Sequence, residues 1–464
     1  MKTRSFSSFT HLAFACFFLS SAFADVKPNP LFSDGAVLQR GQTVPVWGNA
    51  DDGEQVTVVL NDQKLTTVAK DGKWRVDLKS IEAGGPYTMT ISGKNTIQIK
   101  DLLVGEVWVC SGQSNMEWRL NQIDPGKAEQ SKADFPKIRM FTVKRATAVT
   151  PQTDCTGSWI GCSPETVGAF SAVGYFFARD LHEKLGVPVG MVHSSWGGTP
   201  AQAWTSLEGF KNDPELQEYV NAANGAIANP PEKPVGAGFP TALYNGMIAP
   251  IVPYSMKGVI WYQGESNAQK AKQYRTLFPA MIDDWRDKWK QGDFPFFFVQ
   301  IAPFKGQPPE IREAQLMTLG KVKNTAMAVT TDLGDANDIH PKNKQPVGQR
   351  LALAARALVY GEKIEYSGPL YDSMKVSGSS VELSFKHVGG GLVAKDGELK
   401  GFTIAGEDKK FVPAKAVIQG DKVIVTAEGV TAPKAARYGW LNVPDVNLYN
   451  KEGLPASPFR TDVE

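Results

Sequence analysis

The sequence contains few cysteines, few histidines and, beyond its first residues, no long apolar run. Its 464 residues include 4 cysteines and 5 histidines. No stretch after residue 24 approaches the roughly 20 apolar residues that a membrane-spanning helix needs, so we expect no membrane insertion. The 50 basic residues are balanced by 48 acidic ones. Without an excess of one charge, we expect no nucleic-acid partner.

The first 24 residues have the pattern of a cleavable signal peptide. Lys2 and Arg4 precede an apolar run over residues 12–19, and Ala22-Phe23-Ala24 supplies the small residues of a cleavage site. We therefore expect cleavage after Ala24 and a periplasmic or secreted mature protein.

Three cysteines remain after this leader. Cys155 and Cys162 lie between glycine and proline signals, and an oxidising compartment would allow them to close a short disulfide loop. Cys110 follows Val107-Trp108-Val109, the pattern of a buried strand. We expect it to be a small core residue rather than a reactive thiol.

Hydrophobic periodicity divides the mature chain into three parts. Residues 25–100 show short alternating runs broken by Asp-Gly and Gly-Gly turns, which predicts an N-terminal β module of the sandwich type. Residues 101–363 alternate apolar strands with helical patterns, which predicts an α/β domain with a parallel sheet. Short strands return in residues 364–464 and predict a C-terminal β module. Because no low-complexity linker separates the parts, we expect them to pack together.

One serine follows a predicted strand at a position that suits a nucleophile. The segment Gly112-Gln113-Ser114-Asn115-Met116-Glu117-Trp118 comes directly after predicted strand 104–110. A serine at such a strand-to-helix turn presents its hydroxyl at the carboxyl end of a parallel sheet, where α/β proteins bind ligands. The same position also suits a serine that only caps a helix, and Gly-x-Ser alone does not separate the two roles.

A serine nucleophile needs a base whose pKa lies near neutrality, and the chain has few. His182 lies in a charged helical pattern that indicates the surface, His387 belongs to the C-terminal module, and His193 ends a predicted strand, where a structural role is expected. His340 lies in the loop Asp335-Ala336-Asn337-Asp338-Ile339-His340-Pro341, between predicted strand 326–330 and a helix. Carboxylates on that loop can orient its imidazole, so His340 is the predicted base.

Two further clusters follow predicted strands. Ser194-Ser195-Trp196-Gly197-Gly198-Thr199 contains glycines whose amides can approach a substrate closely. Trp261-Tyr262-Gln263-Gly264-Glu265-Ser266-Asn267 offers Gln263 or Asn267 as a side-chain donor to an oxyanion. Because the carboxyl ends of parallel strands meet at one edge of a sheet, the four clusters together predict an acyl-transfer site.

These clusters resemble the motifs of the SGNH hydrolases and, within them, of the sialate O-acetylesterase family. The run Val107-Trp108-Val109-Cys110-Ser111-Gly112-Gln113-Ser114-Asn115-Met116 is similar to the first family block, and Ser195-Trp196-Gly197-Gly198-Thr199 to the glycine block. Trp261-Tyr262-Gln263-Gly264-Glu265-Ser266 is similar to the third block, and Asp338-Ile339-His340-Pro341 to the last. The resemblance implies an SGNH-type, flavodoxin-like hydrolase domain flanked by β modules, with an acetylated sugar as substrate and neither a metal nor an organic cofactor.

Site residues follow from the resemblance position by position. It implies Ser114 as nucleophile, His340 as base, and oxyanion donors in the Ser114 amide, a Gly197 or Gly198 amide and the Gln263 side chain. The expected substrate-binding residues are Asn115, Trp196 and Glu265. The position three residues before the histidine, an aspartate in the general pattern, holds Asn337 here. Asp338 is therefore the predicted acid of the triad, with Asp335 as the alternative.

The sugar itself is left open by the sequence. The first hypothesis is an exported serine esterase that removes acetyl groups from sialic acid through an acetyl-serine intermediate. One alternative is an acetylesterase for hemicellulose oligosaccharides of the xylan or xyloglucan type, and another is a carbohydrate-binding protein without activity. A sialate site should contain an arginine for the sugar carboxylate, and the candidates are Arg119, Arg139 and Arg312.

Overall fold

A computed structural model of the protein describes residues 25–211 and 213–462, so the predicted leader, residues 1–24, lies outside the described residues. The first part of the chain forms short strands with alternating burial. In β4, for example, Val56, Val58 and Leu60 are fully buried while the residues between them face outward. The strands of this part are β1 (Lys27–Pro28), β2 (Val37–Gln39), β3 (Val44–Asn49), β4 (Gln55–Leu60), β5 (Gln63–Val68), β6 (Lys73–Leu78) and β7 (Gly84–Ser92).

The next strand, β8 (Thr96–Gly112), runs through two parts of the fold. Its first half pairs with β7 in antiparallel and with β2 in parallel register. Its second half is buried from Leu102 onward and belongs to the central sheet. The boundary expected between residues 100 and 101 therefore falls inside a continuous strand, and the N-terminal strands share a sheet with the α/β part.

The central sheet confirms the predicted α/β domain with a mostly parallel sheet. Its main path has the order β10-β9-β11-β8-β12-β13-β14, in which all neighbours from β9 to β14 are parallel and β10 is an antiparallel edge. Strand β13 reads Phe-Phe-Phe-Val-Gln and is buried throughout, as expected for a strand covered on both faces. The remaining strands are β9 (Phe135–Thr142), β10 (Trp159–Cys162), β11 (Val189–Ser195), β12 (Gly258–Tyr262), β13 (Phe296–Gln300) and β14 (Thr325–Val329).

Helices cover both faces of this sheet, α3 packing on α8 and α6 on α7. Helix α3 begins after Ser171, whose hydroxyl accepts a hydrogen bond from the Gly174 amide at 3.1 Å, and ends at Gly186 in the left-handed conformation. The α-helices are α1 (Ser114–Glu117), α2 (Gly126–Gln130), α3 (Ala172–Leu185), α4 (Leu207–Phe210), α5 (Gln217–Ala228), α6 (Ala271–Trp289), α7 (Pro309–Lys321) and α8 (Gln345–Leu358). This alternation of strands and helices is the one that the sequence predicted for residues 101–363.

The last part of the chain forms a β module with its own hydrophobic core. Val381, Leu383, Val423 and Val425 are fully buried in it. Its strands are β15 (Leu370–Ser377), β16 (Ser380–Lys386), β17 (Leu392–Ala394), β18 (Phe402–Ala405), β19 (Val412–Pro413), β20 (Lys415–Gln419), β21 (Lys422–Thr426), β22 (Ala435–Tyr438), β23 (Leu448–Asn450) and β24 (Phe459–Arg460).

Polar contacts hold this module against the α/β part. The Arg460 guanidinium on β24 donates from Nε to Glu313 Oε1 on α7 at 2.6 Å. The Gln300 amide at the end of β13 donates to the Ser457 hydroxyl at 2.9 Å. The side chains of Arg460, Gln300 and Ser457 are less than 10% exposed, and that of Glu313 is 11% exposed. The module is therefore packed against the α/β part.

The described cysteines are all unbonded. Cys162 is buried with its thiol 3.6 Å from the Ala133 carbonyl oxygen, and Cys155 is half-buried. The disulfide expected between them is therefore absent from the structure. Cys110 is fully buried, as predicted for a core residue, and burial raises the pKa of its thiol above the usual value. None of the helices in residues 25–211 and 213–462 is long and apolar enough to cross a membrane.

Candidate active site

The site lies at the carboxyl end of β8, where the chain changes direction across the sheet. Strand β8 has β11 on one side and β12 on the other, and in open α/β sheets ligands bind at the carboxyl ends of the strands where the strand order reverses. At Gly112 the backbone has φ +136°, and a Cβ atom there would lie 2.2 Å from the Tyr262 carbonyl oxygen. Only glycine fits this close approach. The turn delivers Ser114 as the first residue of α1.

The structure brings Ser114 and His340 together from opposite ends of the domain. His340 Nε2 lies 2.9 Å from Ser114 Oγ, a hydrogen-bonding distance. The indole of Trp118 stacks on the imidazole, with ring centroids 5.1 Å apart and planes at 19°. Burial lowers the pKa of His340, Asp338 opposes this change and Lys344 adds to it. His340 is therefore held mainly as the neutral base at neutral pH.

Asp338 is the carboxylate that the loop brings to the imidazole. Its Oδ1 accepts a hydrogen bond from the His340 backbone amide at 2.8 Å and lies 3.6 Å from His340 Nδ1. Asp335 has a different position: its Oδ1 accepts from the backbone amides of Asn337 at 2.7 Å and Asp338 at 3.3 Å. Asp335 thus braces the loop, and Asn337 Oδ1 accepts from Lys305 Nζ at 3.3 Å.

The other described histidines lie elsewhere. His193 on β11 is buried. Its pKa is lowered to about 4, mainly by this burial and in smaller part by the positive charges of Arg119 and Arg145. His182 is half-buried rather than on the surface, and its Nδ1 lies 2.7 Å from the Val187 carbonyl oxygen. His387 pairs with Glu365 at 2.8 Å.

The glycine segment after β11 lies directly against the nucleophile. A Cβ atom on Gly197 would lie 3.2 Å from Ser114 Cβ. The Gly197 amide donates to Glu117 Oε2 at 2.8 Å, and Glu117 is also paired with Arg145. The amides of Ser114 and Gly198 donate to no protein acceptor in the described part of the chain. Both amides are therefore free to donate to a bound group.

Gln263 does not have the place that the sequence suggested. Its amide nitrogen donates to the Thr199 carbonyl oxygen at 3.3 Å and to Asn267 Oδ1 at 2.7 Å, and its oxygen accepts from the Tyr274 hydroxyl at 3.0 Å. The side chain is fully buried. Because both amide hydrogens are already used inside the protein, Gln263 supports the loops instead of donating to an oxyanion.

Two of the expected substrate-binding residues are also internal. Asn115 is 1% exposed, and its amide donates to Glu265 Oε1 at 2.6 Å and to the Ile339 carbonyl oxygen at 3.1 Å. Its oxygen accepts from Lys344 Nζ. Glu265 Oε2 is buried and has no hydrogen-bond partner in the described residues. Trp196, in contrast, is half-buried beside the site, with the Arg145 guanidinium 5.2 Å from its ring centroid.

Sequence reasoning missed Glu117, Arg145 and Lys344. Their partners lie between 28 and 229 positions away along the chain, and no local pattern links such pairs. In residues 25–211 and 213–462, no group of three or more His, Cys, Asp or Glu side chains is arranged to hold a metal ion.

Comparisons with known proteins agree with this architecture. The family model for the sialic acid-specific acetylesterases, a family of carbohydrate esterases, matches residues 104–357. The human sialate O-acetylesterase is 32% identical over 470 residues, which cover 89% of this chain and 88% of that protein. The mouse sialate O-acetylesterase is 34% identical over 398 residues, covering 72% of this chain and 74% of that protein.

A solved structure extends the likeness to three dimensions. A carbohydrate acetylesterase from Xanthomonas citri is 41% identical, with a TM-score of 0.87, and covers 95% of this chain and 100% of its own. The chain therefore belongs to the sialic acid-specific acetylesterase family of carbohydrate esterases, and it is a carboxylic ester hydrolase.

Proposed function

We propose that this protein is an exported serine esterase that removes acetyl groups from carbohydrates through an acetyl-serine intermediate. The observation that carries the proposal is the distance of 2.9 Å between His340 Nε2 and Ser114 Oγ at the carboxyl end of β8. Export rests on the leader pattern that ends at Ala24. An SGNH-type, flavodoxin-like hydrolase domain is the fold that best accounts for this placement of the nucleophile.

The reaction then runs in two halves. Neutral His340 takes the Ser114 proton as the hydroxyl oxygen attacks the acetyl carbon, and the amides of Ser114 and Gly198 donate to the oxyanion. Collapse breaks the bond to the sugar oxygen, which receives the proton from His340. Water next attacks the acetyl-serine, His340 takes a proton from it, and acetate leaves as Ser114 recovers its hydrogen. Asp338 stabilises the imidazolium that forms in each half.

Sialic acid is the first candidate substrate because relatives of this chain carry that name. Its carboxylate would need a cation near the site. Arg139 is unsuitable because it is buried and donates to Asp101. Arg312 is also unsuitable, because it is buried and donates to the carbonyl oxygens of Leu441 and Asn442. Arg119 is exposed, follows Trp118 directly and has no ion-pair partner in the described residues. We propose Arg119 as the carboxylate-binding residue.

A neutral hemicellulose oligosaccharide is the second candidate, and a specific contact favours it. The cation that lies against Trp196, Arg145, is already neutralised by Glu117. The rim beside Gly197 therefore offers an aromatic face and a balanced charge pair, which suit a neutral sugar ring.

Acetate release from three esters tests the proposal and separates the sugars. We expect the wild-type protein to act on 4-nitrophenyl acetate and on either 9-O-acetylated sialic acid or acetylated xylo-oligosaccharides. If sialate is the substrate, Arg119→Ala should raise KM for it by roughly 10-fold, the value of a lost charge-assisted hydrogen bond, and leave 4-nitrophenyl acetate turnover unchanged. Turnover of none of the three esters would instead favour a binding protein without activity.

Exchange of single carboxylates distinguishes the two candidate acids. Asp338→Asn removes the charge 3.6 Å from His340 Nδ1, so we expect kcat/KM for 4-nitrophenyl acetate to fall by roughly 10- to 1,000-fold. Asp335→Asn keeps an oxygen that can accept from the loop amides, and we expect a change of about 3-fold or less. The reverse order of effects would assign the acid role to Asp335.

A further inference from the structure

Three polar side chains from separate segments meet in the interior behind Ser114. They are Lys344, which immediately precedes α8, Asn115 in α1, and Glu265 in the loop after β12. Lys344 donates to Asn115 Oδ1, and Asn115 Nδ2 donates to Glu265 Oε1 at 2.6 Å. The lysine is 0% exposed and the asparagine 1%. An amine and a carboxyl group are thus joined inside the protein by one neutral amide.

Burying these groups costs free energy of folding, so a gain in stability does not explain their presence. Removing an ammonium and a carboxylate from water costs several kcal/mol, and an apolar cluster of the same size is often as stable. Burial lowers the pKa of Lys344 to about 7 and raises that of Glu265. The lysine is partly compensated by two aromatic rings, with Nζ 5.3 Å from the centroid of Tyr262 and 5.8 Å from that of Trp118.

The cluster reaches the immediate neighbours of both Ser114 and His340. Asn115 is the neighbour of Ser114, and its amide also donates to the carbonyl oxygen of Ile339, the neighbour of His340, at 3.1 Å. Lys344 contacts the Trp118 ring that stacks on the His340 imidazole. The segments next to both reacting residues are therefore held by contacts that lead back to the lysine.

We propose that Lys344 is a positioning residue: through Asn115 and Trp118 it holds the turn that carries Ser114 against the loop that carries His340. The inference rests on the proposed function, since it needs Ser114 as nucleophile. When buried contacts already orient the reacting groups, no free energy is spent on orienting them during the reaction. A misplacement of these groups by about 1 Å can lower the rate on the order of 100-fold.

Lys344→Met removes the charge and the donor while keeping the length of the side chain. For 4-nitrophenyl acetate we expect kcat to fall by roughly 10- to 100-fold with KM changed by less than about 2-fold. The acidic limb of the pH profile should also move to higher pH. The charged groups that shift the pKa of His340 are Asp338, which raises it, and Lys344, which lowers it, so loss of the lysine raises it.

Lys344→Arg and Asn115→Ala complete the experiment. The arginine variant keeps the charge, and its acidic limb should return to the wild-type pH. If the lysine acts through the asparagine, Asn115→Ala should lower kcat by a similar factor, and the double variant should be little worse than either single one. Should Lys344→Met fail to fold, the loss of kcat in folded Asn115→Ala carries the test.

The proposal is overturned if folded Lys344→Met keeps the wild-type kcat and acidic limb, or if folded Asn115→Ala keeps the wild-type kcat. Its failure is distinct from failure of the proposed function. If the proposed function is wrong, Ser114→Ala keeps full activity. If only the role of Lys344 is wrong, Ser114→Ala is inactive and Lys344→Met behaves as the wild type.

Discussion

Replacement of Ser114 by alanine should lower kcat/KM for 4-nitrophenyl acetate by at least about 10⁴-fold, the scale found when the nucleophile of a serine hydrolase is removed. The expectation follows from the position of Ser114 at the end of β8, where its hydroxyl contacts His340 and its amide donates to no acceptor among the residues that the structure describes. Alanine keeps the helix and the amide, so binding and the oxyanion site remain while the covalent step is lost.

A matched control is Ser131→Ala, which removes an exposed hydroxyl, just after α2, that donates to the Ala128 carbonyl oxygen at 3.0 Å. We expect this variant to keep wild-type kinetics, and both variants to retain the wild-type melting temperature. Equal activity of Ser114→Ala and the wild type would show that another residue attacks the ester.

Replacement of His340 by alanine should reduce kcat/KM by a factor close to that for Ser114→Ala. The two residues act as one unit, because the serine is a poor nucleophile until the imidazole accepts its proton. We therefore expect the double variant to be no slower than either single variant, and additive losses would contradict a shared step.

The pH profile of the wild type provides a second measure of His340. Its pKa lies below the usual 6.5, chiefly because of burial. The protein is active when the His340 imidazole is neutral, so activity should be lost as the pH falls through this lowered pKa. The midpoint of the acidic limb should consequently lie below pH 6.5, and His340→Ala should abolish that limb. A limb centred above pH 6.5 would contradict the assignment.

The parts of the site that depend on chain order could be predicted from the sequence. A serine directly after a buried strand and a histidine in a later strand-to-helix loop must both reach the carboxyl edge of a parallel sheet. With four histidines after residue 24, elimination favours His340, and the structure places His340, among the described histidines, against Ser114.

Side-chain direction within a turn could not be predicted in this way. Asn115 follows Ser114 directly in the sequence, yet its side chain points to the interior and donates to Glu265 Oε1. Gln263 likewise faces Thr199 and Asn267. The charged partners Glu117 and Arg145 meet only in the folded chain.

The extent of the N-terminal module was also beyond the sequence. The sequence predicted that the module ends at residue 100, but Lys100 and Asp101 are exposed positions inside β8, and the strand is buried from Leu102 onward. The exposed Asp335 carboxylate accepts hydrogen bonds from loop amides and does not contact His340, and this too is decided by the path of a short loop.

Trapping of the intermediate tests the central claim most directly. The wild-type protein, mixed with excess 4-nitrophenyl acetate and quenched in acid within the first turnover, should gain the mass of one acetyl group, and peptide mapping should place it on Ser114. Ser114→Ala treated in the same way should gain none. An acetyl group on another residue of the wild type, or labelling of Ser114→Ala to the same extent, would contradict the account.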